Sequence, residues 1–182
     1  MPRLTAIEPS QAEGKAREQL ERVEKRLGFA PNMMRTLANA PAALDGYLGF
    51  ARALAHGKLS AAQREAIALA VAGISGCDYC VAAHTMVGGT LDVEAGELAA
   101  NAAGRSSDPG LQAILDFARA VVETQGWVSD ADLRKMRDAG FGEDVIVETV
   151  ANVAENIFTN YINHVAETEI DFPAVPAGDR SA

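Results

Sequence analysis

Residues 60–89 read SAAQREAIALAVAGISGCDYCVAAHTMVGG, and this stretch decides the reading of the chain. Ser60-Ala61-Ala62-Gln63 has the form of a capping box, in which the Ser hydroxyl and the Gln side chain satisfy each other's backbone N–H groups at a helix start. An apolar run from Arg64 to Ile74 follows, and Ser75-Gly76 interrupts it. A second helix is predicted to begin at Cys77 and to stop at Gly88-Gly89. Neither half alternates apolar with polar residues, so the stretch reads as two helices and contains no strand.

The same punctuation extends outward. Ser10-Gln11-Ala12-Glu13 reads as a capping box for a charged helix running to Leu27 and ending at Gly28. Pro31 is placed to open a short helix, and Pro41 a longer one reaching His56, with Gly57 as its stop. Further helices are expected at Asp92–Ala100, Pro109–Thr124, Ser129–Asp138 and Glu143–Thr168. In the last, Val147, Val150, Ala154, Ile157, Phe158, Tyr161 and Val165 gather on one side, the predicted core face. Asn152, Asn156, Asn160 and His164 recur every four residues and read as a solvated face. Met33, Met34 and Phe50 are core candidates. The tail Phe172-Pro173-Ala174-Val175-Pro176 cannot continue a helix. The prediction is one all-α domain spanning residues 1–182.

Composition agrees. The chain has 182 residues, 35 of them Ala, which costs least to place in a helix. Its net charge is −9 and it has no Lys/Arg block, so it offers no footprint for nucleic acid. Stretches without a charged residue, such as Ala66–Cys77, are well short of the ~20 residues of a membrane span. Charges at Arg3, Glu8, Glu13 and Lys15 leave no apolar core for a signal peptide, and a cytoplasmic location is expected.

Both cysteines lie in Cys77-Asp78-Tyr79-Cys80. A CxxC pair closes too small a ring to brace a fold, so its use is chemical. On a helix opening at Cys77, Cys80 lies roughly 60° and His84 roughly 20° around the axis, all on one side. Cys80 and His84 are i,i+4 neighbours. The first helical turn, with its unpaired N–H groups and positive dipole end, favours a thiolate. Two thiols one turn apart can be oxidised to a disulfide and reduced again. Glu65, on the preceding helix, is a candidate to orient His84. A thioredoxin-like reading fails because that motif follows a strand, and a c-type haem needs His where Val81 stands. Zinc on Cys77, Cys80 and His84 is a competing reading that lacks an evident fourth ligand.

The series Glu65, Cys77, Cys80, His84 resembles the core motif of the AhpD-like alkylhydroperoxidases within the carboxymuconolactone decarboxylase superfamily. Leu27-Gly28-Phe29-Ala30-Pro31-Asn32, Asn39-Ala40-Pro41 and Gly57-Lys58-Leu59-Ser60 resemble the lead-in, and Glu169-Ile170-Asp171-Phe172-Pro173 the close of the peroxidase-related group. The resemblance is densest from about residue 25 to 90. It implies an all-helical, oligomeric fold (dimer, trimer or hexamer) that reduces organic or hydrogen peroxide without a cofactor. It further implies a reductant, which would be a lipoyl protein, a thioredoxin-like protein or a small thiol. By the same resemblance Cys80 is the attacking thiolate, Cys77 the resolving thiol, and His84 with Glu65 the proton relay. Where the best-studied members carry a second His, this chain has Tyr79, an auxiliary candidate and a poor base near neutral pH. Two alternatives stand beside this reading: a decarboxylase-like lyase, disfavoured by the CxxC pair, and a non-enzymatic thiol redox sensor.

Overall fold

A computed structural model describes residues 1–173; the stretch Ala174-Val175-Pro176 of the predicted tail lies outside them. After a 3-10 turn at Pro9–Gln11, nine α-helices follow among the described residues. They are α1 (Gly14–Leu27), α2 (Asn32–Leu37), α3 (Pro41–Leu54), α4 (Ala61–Ser75), α5 (Asp78–Gly89), α6 (Ala95–Ala102), α7 (Pro109–Glu123), α8 (Asp130–Asp138) and α9 (Glu143–Ala166). No described residue is in a strand, and no helix of the described residues is long and apolar enough to cross a membrane.

The central element is α4. Every residue from Ala66 to Ala72 is buried, so the helix has no solvent face over two turns. One core, with Leu20, Leu37, Leu44 and Leu69, lies to one side and includes both cysteines. The other, with Ile67, Ile114, Leu115 and Met136, lies to the opposite side. Ala and Gly at the crossings let neighbours approach closely. At Gly73 a β-carbon would fall inside the carbonyl oxygen of Ala102, at the end of α6.

The capping box at Ser60 forms as expected, a second forms at Ser129 where only a helix start was expected, and Gly28 takes a left-handed conformation with φ 84°. Ser10 differs: it lies in the 3-10 turn, and α1 starts at Gly14 behind an uncapped Glu13. The third helix ends at Leu54, so His56 is past its last turn.

The largest correction concerns α9, most of whose expected core face is turned outward, Ile157 being the member that packs half-buried against the second core. Its apolar stripe is on the outside, with Val147 66% and Tyr161 61% exposed and Val150, Phe158 and Val165 also exposed. At 100° per residue these five side chains span about 80° of the helix circumference. Asn152, Asn156, Asn160 and Asn163 are buried instead, while His164 is exposed. Burial of amides is tolerable where they are hydrogen-bonded. Asn152 Nδ2 donates to the Glu148 carbonyl at 2.7 Å and Asn156 Nδ2 to the Asn152 carbonyl at 2.9 Å. Thr149 and Thr159 likewise bond backward to carbonyls of their own helix. Asn160 is buried with neither amide atom paired among the described residues, and nothing in the structure explains it. Phe50 is also corrected, being 40% exposed, whereas Met33 is buried as expected.

Two ties fix α9 against the site-bearing helices. The Glu148 carboxylate accepts from the backbone N–H groups of Lys58 (2.7 Å) and Leu59 (3.0 Å), just ahead of α4. Beyond α9, the Asp171 carboxylate accepts from the N–H of Asn32 at 2.7 Å, and Asn32 Nδ2 donates to the Glu169 carbonyl at 3.0 Å. The segment just after α9 thus folds back over the start of α2.

Candidate active site

The turn between α4 and α5 is set by Gly76, whose φ of 68° is a conformation that favours glycine. It lets the Cys77 N–H reach back to the Ala72 carbonyl at 2.9 Å and brings α5 alongside α4. Cys77 is the residue just before the helix, in extended conformation, so α5 starts one residue later than the sequence suggested. Both cysteines are free thiols and nearly inaccessible, Cys77 1% and Cys80 3% exposed.

Cys80 borders a cavity of about 320 Å³ whose walls come from α1 to α5, α9 and Phe172; Cys77 does not border it. One side is apolar, formed by Met33, Met34, Leu48 and Phe172 among others, and the other carries Glu65, His84, Glu155 and Asn163. Such a cavity suits a small molecule with an apolar body and a polar end.

The sequence candidates converge. Glu65 Oε2 lies 2.7 Å from His84 Nδ1, an ion pair about a quarter exposed (25% for His84, 20% for Glu65). The carboxylate fixes the ring and its Nδ1 proton, and Nε2 has no partner among the described residues. Burial opposes charge on His84, but the Glu65 carboxylate outweighs it, helped by Glu155 and by Cys77. The net result holds His84 above the ordinary imidazole range, so it carries its proton more readily.

The sulfurs behave as a coupled pair. Hydrogen bonding from Cys80 is the largest influence on Cys77; it outweighs burial and, with the Cys80 backbone, Asn163 and His84, holds Cys77 below the usual thiol range. The Cys80 thiol is pushed up, first by its hydrogen bond to Cys77, then by burial and the Cys77 charge. The pair therefore loses its first proton easily and its second with difficulty.

Asn163 was missed by the sequence reading. Its Nδ2 donates to Cys80 Sγ at 3.2 Å and lowers the proton affinity of both sulfurs. Glu155 was missed as well: half-buried on the same wall, its carboxyl is raised by burial and by Glu65 against the opposing pull of His84 and Arg64. The signal available was the composition of the stripe, Asn and Thr without Lys or Arg, which is unusual for a solvated helix face.

Tyr79 points its hydroxyl away from the thiols. That oxygen accepts from the Met33 N–H at 3.1 Å and interacts with Asp171, and the ring packs edge-on against Phe172 at 5.3 Å. Burial, chiefly, pushes the phenol up. For the zinc alternative, no group of three or more His, Cys, Asp or Glu side chains among the described residues is placed to hold a metal ion.

Comparisons with known proteins follow the same lines. The sequence profile of the carboxymuconolactone decarboxylase family matches residues 40–124. A search of curated proteins finds no match. Among solved structures, the alkylhydroperoxidase AhpD core of an uncharacterized peroxidase-related protein from Ralstonia eutropha superposes with a TM-score of 0.85. It is 24% identical, over 93% of this chain and 92% of that one. A peroxidase-related protein from a Silicibacter species gives 0.77 at 22% identity, over 92% of each chain. A Cys-to-Ala variant of the debrominase Bmp8, in complex with 2,3,4-tribromopyrrole, gives 0.79 at 20% identity, over 93% of this chain and 91% of that one. Residues 40–124 thus match the profile of the carboxymuconolactone decarboxylase family, and the fold is of the AhpD type.

Proposed function

We propose that this protein is a cofactor-free thiol peroxidase that cycles Cys77 and Cys80 between dithiol and disulfide. The observation that carries the reading is the position of Cys80. It is the sulfur that borders the cavity, it is hydrogen-bonded by Asn163, and the Glu65–His84 pair shares its wall. Acidity alone would favour Cys77, but a substrate reaches Cys80.

In the proposed cycle His84 takes the first proton of the thiol pair, and Glu65 stabilises the imidazolium. The Cys80 thiolate attacks the terminal oxygen of a hydroperoxide; an S–O bond forms, the O–O bond breaks, and the alkoxide leaves as the alcohol after taking a proton. The Cys77 sulfur then attacks the sulfenic acid, displacing hydroxide, which leaves as water with the remaining thiol proton. A thiol reductant (lipoyl protein, thioredoxin-like protein or small thiol) restores the dithiol. A reducing compartment such as the cytoplasm suits this cycle.

The outward apolar face of α9 supports a homo-oligomer, since an unbroken apolar stripe of that length is seldom left to water. The test is anaerobic, pre-reduced protein mixed with one equivalent of cumene hydroperoxide, with thiols counted over time. Loss of both thiols, arrest at a trappable sulfenic acid in Cys77→Ser, and slow reaction in Cys80→Ser and His84→Ala are expected. Wild-type thiols that react no faster than free cysteine would overturn the proposal.

A further inference from the structure

The cycle above leaves the alkoxide without a designated proton donor at the moment the O–O bond breaks. His84 is bound through Nδ1 to Glu65 and holds the proton that keeps the sulfur ionised. Tyr79 has its hydroxyl engaged at Met33, on α2. Another polar hydrogen on the cavity wall is that of Tyr47, on α3.

Tyr47 is half-buried, and its ring packs against the core that contains the two cysteines. Its hydroxyl makes no hydrogen bond among the described residues, whereas the other cavity tyrosine does. The phenol lies within electrostatic reach of Cys80, Glu65 and Glu155 together, and of Arg26 at the rim. Burial first, and then those three acidic groups, push it above its ordinary value, so it keeps its proton at any working pH. A neutral donor is what this position requires, because a cation there would pair with the carboxylates and a third carboxylate would repel the alkoxide.

We propose that Tyr47 is a catalytic residue of this site, its hydroxyl hydrogen-bonding the leaving oxygen of a bound hydroperoxide and passing it a proton as the O–O bond breaks. The inference rests on the thiol-peroxidase reading. As Cys80 Sγ bonds to the terminal oxygen, negative charge collects on the other oxygen, and a hydrogen bond to it is stronger in the transition state than in the bound substrate. The phenolic proton crosses to give the alcohol. The phenolate, disfavoured beside Glu65 and Glu155, is refilled from the His84 imidazolium. The first thiol proton thus ends on the alcohol, and the second leaves with water.

Tyr47→Phe removes one oxygen and keeps the ring. The assay compares two oxidants on pre-reduced protein: cumene hydroperoxide, whose alkoxide needs a proton, and 3-chloroperoxybenzoic acid, whose carboxylate leaves without one. Loss of an oxyanion donor predicts a fall of about 100- to 1,000-fold with the hydroperoxide and a fall many times smaller with the peracid. Equal falls with both oxidants would make Tyr47 a packing residue and overturn the proposal, as would no fall with either. Wild-type protein that reacts with neither faster than free cysteine would instead overturn the thiol-peroxidase reading, and the role of Tyr47 with it.

Discussion

Asn163→Ala tests whether a buried amide sets the acidity of the thiol pair. The side chain contributes one N–H, 3.2 Å from Cys80 Sγ, and a carbonyl oxygen that is buried without a partner. Hydrogen bonds to charged groups contribute about 1.5–3 kcal/mol, and one pKa unit is about 1.4 kcal/mol. Truncation should therefore raise the first ionisation of the dithiol by about one to two units. Below that pKa, the thiolate population and the rate of peroxide attack should both fall about 10- to 100-fold. Stability should change little, because the unpaired carbonyl disappears together with the hydrogen bond. The assay is an ultraviolet titration of thiolate absorbance on pre-reduced protein, beside peroxide-dependent thiol loss at fixed pH and a thermal melt. Asn163→Asp supplies the order: it puts a carboxylate against the sulfur and should raise the pKa beyond the Ala variant. An unchanged first ionisation in Asn163→Ala, or an Asp variant more acidic than wild type, would refute the reasoning.

Glu65→Gln removes the anion that holds the His84 pKa up, so the imidazole titration followed by NMR should move to lower pH. A raised folded-state pKa stabilises fully below the unfolded imidazole value and loses that contribution as pH rises through the folded one. Wild type should therefore exceed Glu65→Gln in stability most at mildly acidic pH, and the gap should narrow above neutrality. Gly73→Ala drives a methyl into the Ala102 carbonyl and should cost about 1–3 kcal/mol in chemical denaturation, with the site residues untouched. Tyr161→Glu combined with Val165→Glu places two charges on the outward face of α9 and should lower the mass measured by light scattering, with helical content unchanged.

Local signals carried much of the fold. Ser60 with Gln63, and Gly28 and Gly76, mark helix ends through hydrogen bonds and backbone freedom that depend on nearest neighbours alone, and they stand where the sequence places them. The Glu65–His84 contact was legible as a candidate, from the single short turn between their helices and from the family resemblance. The orientation of α9 was not. Periodicity reports that one face is apolar and the other polar, and it assigns the apolar face to the interior by default. That default fails where amides return their hydrogen bonds to their own helix, as Asn152 and Asn156 do, and so lower the cost of burial. Asn163 and Tyr47 were illegible for another reason: one bonds to Cys80 and the other lines the cavity that Cys80 borders, each from a helix far away in sequence, and only the packing of α9 against α3 and α5 brings them there.

The two unusual faces of α9 have one cause. A thiol pair that carries a single negative charge inside a core needs N–H donors around it, and α9 is the long element packed against both α4 and α5. Once Asn163, Asn156, Asn152 and Glu155 occupy its inward side, the helix keeps only a few apolar residues there, Ile146, Val153 and Ala166 among them, to anchor it in the core. The apolar residues that would normally anchor it are turned outward, where water opposes them by about 25 cal/mol for each Å² they expose. Tethers at both ends hold the inverted arrangement, Glu148 on the Lys58–Leu59 amides and Asp171 on Asn32. A second subunit over the stripe would supply the missing burial and press the polar face onto the site. Charges introduced at Tyr161 and Val165 should for that reason disturb more than assembly. With Asn163 less firmly seated on Cys80, the first ionisation of the dithiol should rise in the dissociated variant, although neither substituted residue touches a sulfur. A dissociated variant with an unchanged thiolate titration would show that α9 holds its inner face without help from its outer one.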